Sequence, residues 1–482
     1  MRDLKELAGY DIITEEKIPE VNGTGYILSH KKTKARVLVI ANDDENKVFN
    51  IGFRTPPYDD SGIPHILEHS VLCGSRKYPV KDPFVELAKG SLNTFLNAMT
   101  YSDKTVYPIA SCNEKDFENL MDVYLDAVFY PNIYEHTEIM RQEGWHYELE
   151  TVEGELIYNG VVFNEMKGAF SSPEQQMYSK IEKLLLADTP YKNESGGDPA
   201  AIPTLSQERF LDFHRKYYHP SNSYIYLYGD LDMYKELDYI DKEYLSSFDY
   251  REIDSTIAVQ TAYEQMKDES CFYSIAENES EENQTFLTYN MVVGSSLDKK
   301  QSVAMNILEY AIMDAPGAPL KKALVDAGIG EDVFASFDDG IRQTIFSIVA
   351  RNANMSDKER FVSVIRDTLT DLSGHGEEGK AIDRTSIEAA INNFEFKHKE
   401  ANFGRFPKGL MMGLDAFNTW LYDDASALEM FKLNEVYDEL KESLKTGYFE
   451  ELIWEKLVQN TFGMIFVMKP KKGLDKENDA AE

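Results

Sequence analysis

Two stretches of this chain read as copies of one strand–helix unit, and that repeat constrains the fold more than any other feature. Phe95–Ser111 reads FLNAMTYSDKTVYPIAS and Phe334–Ala350 reads FASFDDGIRQTIFSIVA. Phe95 and Phe334 lie 239 residues apart (334 − 95), as do Thr105 and Thr344 (344 − 105). Each segment is followed by an acidic cap and an amphipathic helical pattern, Glu114–Phe129 in the first copy and Asp357–Leu372 in the second. A duplicated unit of this kind predicts an α+β fold of two related domains, each a mostly antiparallel sheet with helices packed on one face. The length of 482 residues agrees, being too great for one ordinary core.

Boundaries follow from pattern and charge. Gly25–Ser29, Arg36–Ile40 and Val48–Phe53 alternate like strands, with Asp43–Asn46 as a turn, and Ser223–Gly229 is a further strand. They place a first domain at 1–248. Residues 249–283 are polar and acidic around Glu277–Glu282, which reads as a linker or surface excursion. A second domain spans 284–470, opening at Phe286–Val293 and closing at Phe462–Met468. Residues 471–482 read as a charged tail.

The formal net charge is −34. Such a chain repels phosphate backbones, so nucleic acid is not an expected partner, whereas basic peptides are weakly attracted. No run of eighteen apolar residues spans a membrane, and the opening Met1-Arg2-Asp3-Leu4-Lys5-Glu6 lacks the apolar core of a signal peptide. Cys73, Cys112 and Cys271 form no CxxC pair, which argues against a disulfide framework or a thiolate metal site. A bacterial cytoplasm fits these features.

The chemistry concentrates in Ser61-Gly62-Ile63-Pro64-His65-Ile66-Leu67-Glu68-His69. Pro64 suits a first helical turn, and Ser61 or Gly62 can cap it. On a helix, His65 and His69 are i and i+4 and share one face, with Leu67, Val71 and Leu72 toward the core. The two imidazoles are then spaced to hold one zinc ion at about 2.0–2.1 Å each. Glu68 lies beside them, placed to act on water as a base. This is H-E-x-x-H in reverse order. The alternative is a surface helix with an incidental carboxylate. Adding 239 to His65 gives Ala304, so the second copy lacks the ligand. A catalytic zinc needs a third protein ligand, and His136, Glu143, His146, Glu148 and Glu165 are all candidates. The apolar neighbours of Glu165 predict partial burial, and a buried carboxylate needs a partner, either a metal or a lysine such as Lys167.

At these residues the sequence resembles the pitrilysin/insulinase superfamily of inverted-motif zinc peptidases, in particular its presequence protease branch. The matching runs are residues 65–111, RQEGWHYELE (141–150), GVVFNEMKGAF (160–170), SGGDPAAIPTLS (195–206) and FHRKYYHPSNS (213–223). The resemblance implies one zinc per chain on His65, His69 and Glu165, the last 96 residues after His69 (165 − 69), with Glu68 as general base. It implies that Leu96-Asn97-Ala98-Met99-Thr100 forms an edge strand beside the zinc. There Asn97, Ala98, Met99 and Thr100 would bind an extended peptide by main-chain hydrogen bonds. Without the family, Asn97 reads as a turn residue. The implied activity is that of a zinc metalloendopeptidase acting on unfolded peptides, such as targeting peptides or peptide fragments. Two departures stand out. Tyr158 occupies a position where some relatives carry a second acid. The chain also has about half the length of presequence proteases, so it reads as an N-terminal half whose C-terminal half, or a partner subunit, completes the enzyme. The rival reading is a non-catalytic binding or assembly subunit, which would be expected to have lost the ligand motif.

Overall fold

The computed structural model describes residues 2–81, 83–378 and 380–474. Most of the expected tail, 475–482, lies outside the described residues. The chain forms two compact units: 1–172 with 188–258 and 402–432, and 173–187 with 259–401 and 433 onward.

The first unit holds β1 (Tyr10–Ile18), β2 (Gly23–His30), β3 (Arg36–Ala41), β4 (Lys47–Arg54), β5 (Asn93–Leu96), β6 (Met99–Thr100), β7 (Lys104–Ser111) and β10 (Ser223–Gly229), plus a hairpin of β8 (His146–Glu148) and β9 (Ile157–Asn159). The main sheet runs β1-β2-β3-β10-β4-β7-β5, with β6 also paired to β7. Every pairing in it is antiparallel except β3 with β10. The second unit holds β11 (Lys267–Ile275), β12 (Thr285–Ser295), β13 (Asp332–Asp338), β14 (Gln343–Ala353) and β15 (Gly463–Lys472), ordered β11-β15-β12-β14-β13. Only β11 with β15 is parallel there. The fold is therefore α+β with a strong antiparallel bias.

The repeat survives at the level of register. Phe95 pairs with Ala110 and Met99 with Val106 in the first unit, and Phe334 pairs with Val349 and Asp338 with Ile345 in the second. All four positions are related by the same offset of 239. β13 is continuous, whereas its counterpart breaks into β5 and β6 around Asn97 and Ala98. Ala304 is fully buried in the helix Lys299–Glu309.

Why the central strands read as unbroken apolar runs is now clear: both faces of the first sheet are covered. Val37, Val39, Ile51, Ile225 and Leu227 face a core that includes Leu120, Tyr124 and Phe213. The alternate residues Leu38, Ile40, Val48, Tyr224, Tyr226 and Tyr228 face Leu410, Phe417 and Trp420 instead. That second cover comes from the helix Lys408–Trp420, inside the stretch that the sequence reading placed in the second domain. Gly409 and Gly413 permit the contact, because a Cβ at either would lie 2.1 Å from Tyr228 or 2.3 Å from Tyr226. Residues 249–283 likewise depart from a simple linker, since 267–275 form β11 and pair along β15. Among the described residues no helix is long and apolar enough to cross a membrane.

The helix Gln207–Tyr217 carries a pH-sensitive buried group. His214 lies between Tyr134, whose hydroxyl is 2.7 Å from Nδ1, and Val128, whose carbonyl accepts from Nε2 at 3.0 Å. Burial lowers its pKa from 6.5 to about 4. Because the folded value lies below the unfolded one, this histidine supports the fold above about pH 6.5 and withdraws that support as pH falls toward about 4. The full effect is about 3 kcal/mol. We expect His214→Gln, measured by urea unfolding with a chelator present, to lose less stability than wild type between about pH 7 and about pH 5. Equal losses would contradict this.

Candidate metal centre

Helix α1 (Ile63–Val71) starts at Gly62, whose φ of 69° is in the left-handed region. A Cβ there would come within 2.7 Å of both the Gly196 carbonyl oxygen and the Gly197 Cα. Glycine thus lets the 195–198 loop pack against the start of the helix. Ile63, Ile66, Leu67 and Val71 bury one face of α1, and Leu72 is half-buried against the same core. This burial fixes how the helix is rotated, which fixes where His65 and His69 point.

Each imidazole is tied at Nδ1. His65 Nδ1 donates to the Gly196 carbonyl at 3.1 Å, and His69 Nδ1 donates to Glu143 Oε2 at 3.3 Å. These acceptors assign the Nδ1–H tautomer to both rings and leave both Nε2 lone pairs available. The Nε2 atoms face one oxygen: Glu165 Oε2 lies 3.8 Å from that of His65 and 3.6 Å from that of His69. Helices α2 (Pro83–Gly90), α3 (Glu114–Phe129) and α4 (Glu138–Glu143) intervene in sequence, and α5 (Val161–Ala169) carries Glu165 while burying Val162, Phe163 and Met166.

The five candidates for a third ligand therefore separate. Glu165 is brought to the histidine pair, and Glu143 sits behind His69. His136 pairs with Glu138 at 3.0 Å, His146 Nδ1 meets the Arg141 carbonyl at 2.8 Å, and Glu148 accepts from Asn159. The expected burial of Glu165 is not found: its side chain is 53% exposed, against 11% for His65 and 25% for His69. Position, not desolvation, brings this carboxylate to the site.

Glu68 is different, being only 8% exposed. The Thr100 hydroxyl donates to its Oε2 at 2.6 Å. Burial pushes the Glu68 pKa up, opposed by the Thr100 hydrogen bond and by His65 and His69, and reinforced by the Glu165 charge. For His69, burial acts downward, but the Glu143 hydrogen bond and the carboxylates of Glu68, Glu143 and Glu165 outweigh it, so its pKa rises. In Glu143 burial acts upward and the bond to His69 wins, holding it low.

Residues 96–100 lie along the margin of the sheet, where β5 and β6 both pair with β7. Asn97 and Ala98 form the break between them. The Asn97 amide reaches the Pro108 carbonyl at 3.4 Å, and its own carbonyl accepts from Tyr124 at 3.3 Å. Tyr158 stacks on Tyr147 with centroids 5.3 Å apart, inside an aromatic group with Trp145 and Phe163.

The donor set suits zinc. Ligand atoms about 2.0–2.1 Å from a tetrahedral ion lie about 3.3 Å from one another, close to the two Nε2–Oε2 separations seen here. Two imidazoles and one carboxylate are also the donors that zinc accepts. The anchors Glu143, Gly196 and Thr100 were missed in these roles, although Glu143 stood among the ligand candidates and Thr100 among the peptide-binding ones. The glycine pair at 196–197 was the available signal for the carbonyl.

Known proteins resemble this chain over nearly all of its length. Residues 48–179 match the family described as insulinase (peptidase family M16), and 204–394 match the peptidase M16 inactive domain. The chain is 50% identical to protein HypA of Clostridium perfringens over 473 residues, covering 98% of this chain and 48% of that protein. It is 40% identical over 477 residues to presequence protease 1, chloroplastic/mitochondrial, of Arabidopsis thaliana, covering 97% of this chain and 44% of the relative. Among solved structures, pitrilysin superposes with a TM-score of 0.63 at 17% identity, over 96% of this chain and 47% of that one. A protease from Helicobacter pylori does so at 0.69 and 16%, over 93% of this chain and all of that one. This chain belongs to the pitrilysin/insulinase superfamily, M16, in its presequence protease branch. It spans about half the length of the curated relatives it matches.

The tie from Glu143 to His69 generates a test. Glu143→Gln weakens the acceptor that orients the ring, so zinc affinity measured by chelator competition should fall by about 10–100-fold. Unchanged affinity would contradict that role.

Proposed function

We propose that this chain carries the active centre of a zinc metalloendopeptidase, with one zinc ion on His65, His69 and Glu165 and with Glu68 as general base. The observation that carries the reading is the convergence of two Nδ1-anchored imidazoles on one carboxylate oxygen, at 3.8 and 3.6 Å, beside the buried Glu68. Bound zinc would polarise a scissile carbonyl and acidify water in its vicinity.

The chain's own residues do the rest. His65, His69 and Glu165 are held in place by α1, α5 and the anchors at Gly196 and Glu143. Thr100 fixes Glu68 through Oε2, leaving Oε1 to take a proton from the attacking water and return it to the leaving amine nitrogen. Burial raises the proton affinity of Glu68, which suits a base that must later act as an acid. Main-chain groups of Asn97, Ala98, Met99 and Thr100 at the sheet margin would hold the substrate extended, with its carbonyl near the two histidines. Such binding reads backbone more than side chains, which suits unfolded peptides, including targeting peptides and fragments. The charge of −34 would favour basic ones weakly. Free cysteines and acidic composition fit a cytoplasmic setting. The match of 204–394 to an inactive-domain family and the buried Ala304 support a non-catalytic role for the second copy. A second half of comparable length, on the same polypeptide or a partner subunit, would complete the enzyme by enclosing the peptide and excluding water.

The test is Glu68→Gln, assayed on a quenched fluorescent peptide with that second half supplied. Gln keeps the shape and removes the basicity. Zinc content should stay at the wild-type level while hydrolysis drops by a factor on the order of 10² or more. Cleavage at the wild-type rate would reject the assignment.

A further inference from the structure

A second group of acidic side chains lies in the first unit, apart from the histidine pair. Glu114 and Glu118 are i and i+4 at the start of α3, and Glu236 lies in the first turn of the helix Met233–Glu243. One carboxylate oxygen from each lies within 4.8 Å of the others. Acidic surface clusters are common, and this one would mean little without a second observation.

That observation is Glu236. It is 1% exposed, and its buried Oε1 has no hydrogen-bond partner. The nearest cation is Lys235, whose Nζ lies 3.9 Å away, beyond hydrogen-bond reach. A buried carboxylate left in this state is costly, and native proteins usually relieve it with a proton, a water or an ion. Burial and the Glu118 charge raise its pKa to about 7, so it is part-protonated at neutral pH. A cavity of about 200 Å³ adjoins it, lined in part by Glu118, Asn119, Lys235 and Tyr239.

We propose that Glu114, Glu118 and Glu236 form a second metal site, a carboxylate cage for a hard divalent cation, calcium by preference, in which the Lys235 ammonium otherwise stands in for the ion. The all-oxygen donor set selects against zinc and toward calcium or magnesium. Calcium–oxygen bonds of about 2.3–2.6 Å let one ion bridge oxygens up to about 4.8 Å apart, and calcium tolerates irregular geometry where magnesium does not. Lys235 holds the central position: its Nζ lies 3.3 Å from Glu114 Oε1 and also pairs with Glu118 Oε1. Its side chain is 51% exposed, so it can swing into solvent when a cation enters. Lys115, 3.2 Å from Glu118 Oε2, is the other cation at the cluster. With three carboxylates and two competing ammonium groups, binding should be weak, with Kd on the order of 10⁻⁴ to 10⁻³ M. The bound ion would tie α3 to the helix Met233–Glu243.

Thermal unfolding of the zinc-loaded 482-residue chain tests this, with millimolar calcium chloride, magnesium chloride or sodium chloride at matched ionic strength, alongside calorimetric titration with calcium. We expect calcium to raise the unfolding temperature of wild type by several degrees more than sodium. Lys235→Met should enlarge the shift and tighten Kd several-fold. Glu236→Gln should abolish the shift, and because it removes a buried charge while keeping shape, it should fold. Glu118→Gln is the second variant, expected to behave the same way. No calcium-specific shift or heat in wild type and Lys235→Met overturns the proposal, as does a wild-type shift retained in Glu236→Gln and Glu118→Gln. A magnesium response equal to that of calcium overturns the calcium preference. Peptidase activity enters none of these readouts, so the outcome is independent of the catalytic reading.

Discussion

Two hydrogen bonds at imidazole Nδ1 atoms set up the rest of this site. The Gly196 carbonyl and the Glu143 carboxylate each take one ring N–H, and each thereby turns an Nε2 lone pair toward Glu165 Oε2. Neither bond is local in sequence: the separations are 131 and 74 residues. The site therefore depends on the tertiary fold of the first unit. Gly62 has to admit the 195–198 loop, and α1 has to bury Ile66 and Leu67 in the right rotation.

The same packing explains Glu68. One turn of helix places three polar side chains on a face whose opposite side is core. His65 and His69 retain some access to solvent, while Glu68 is sunk far enough that the Thr100 hydroxyl is the hydrogen-bond donor that meets it. Burying a carboxylate in this way is unfavourable for stability. In the proposed reading this burial has a use, since it raises the proton affinity of Glu68 against the pull of Thr100 and the two histidines, as a group that takes and returns a proton requires. Glu165, more than half exposed, is placed by α5.

What could be read from the chain divides along the distance over which the signals act. The helix at His65–His69 was legible because its start, its spacing and its apolar face are all local. The register repeat was legible at Phe95/Phe334 and Thr105/Thr344, and it extends through Met99 and Asp338. Glu165 could not be chosen from five candidates by spacing; the family resemblance singled it out, and the approach of α5 to α1 is what brings it to the histidines. The boundary near residue 248 missed the helix Lys408–Trp420, whose glycines mark close packing without saying on which sheet. The clue lay elsewhere, in Val37–Ile40 and Tyr224–Tyr228. Those strands are apolar on both sides and so demand a second cover. Tyr158, which stands where some relatives carry a second acid, packs in an aromatic group, and the carboxylate behind His69 comes from Glu143.

In the proposed reading, two imidazoles and one carboxylate converge to hold one metal ion. X-ray absorption at the zinc edge, on chain purified without added metal, tests it most directly. One zinc per chain is expected, with two imidazole nitrogens and a carboxylate oxygen at about 2.0–2.2 Å, no sulfur, and an altered oxygen shell in Glu165→Ala. A sulfur-bound zinc, a spectrum unchanged by Glu165→Ala, or a chain that takes up no zinc when zinc is supplied would contradict it.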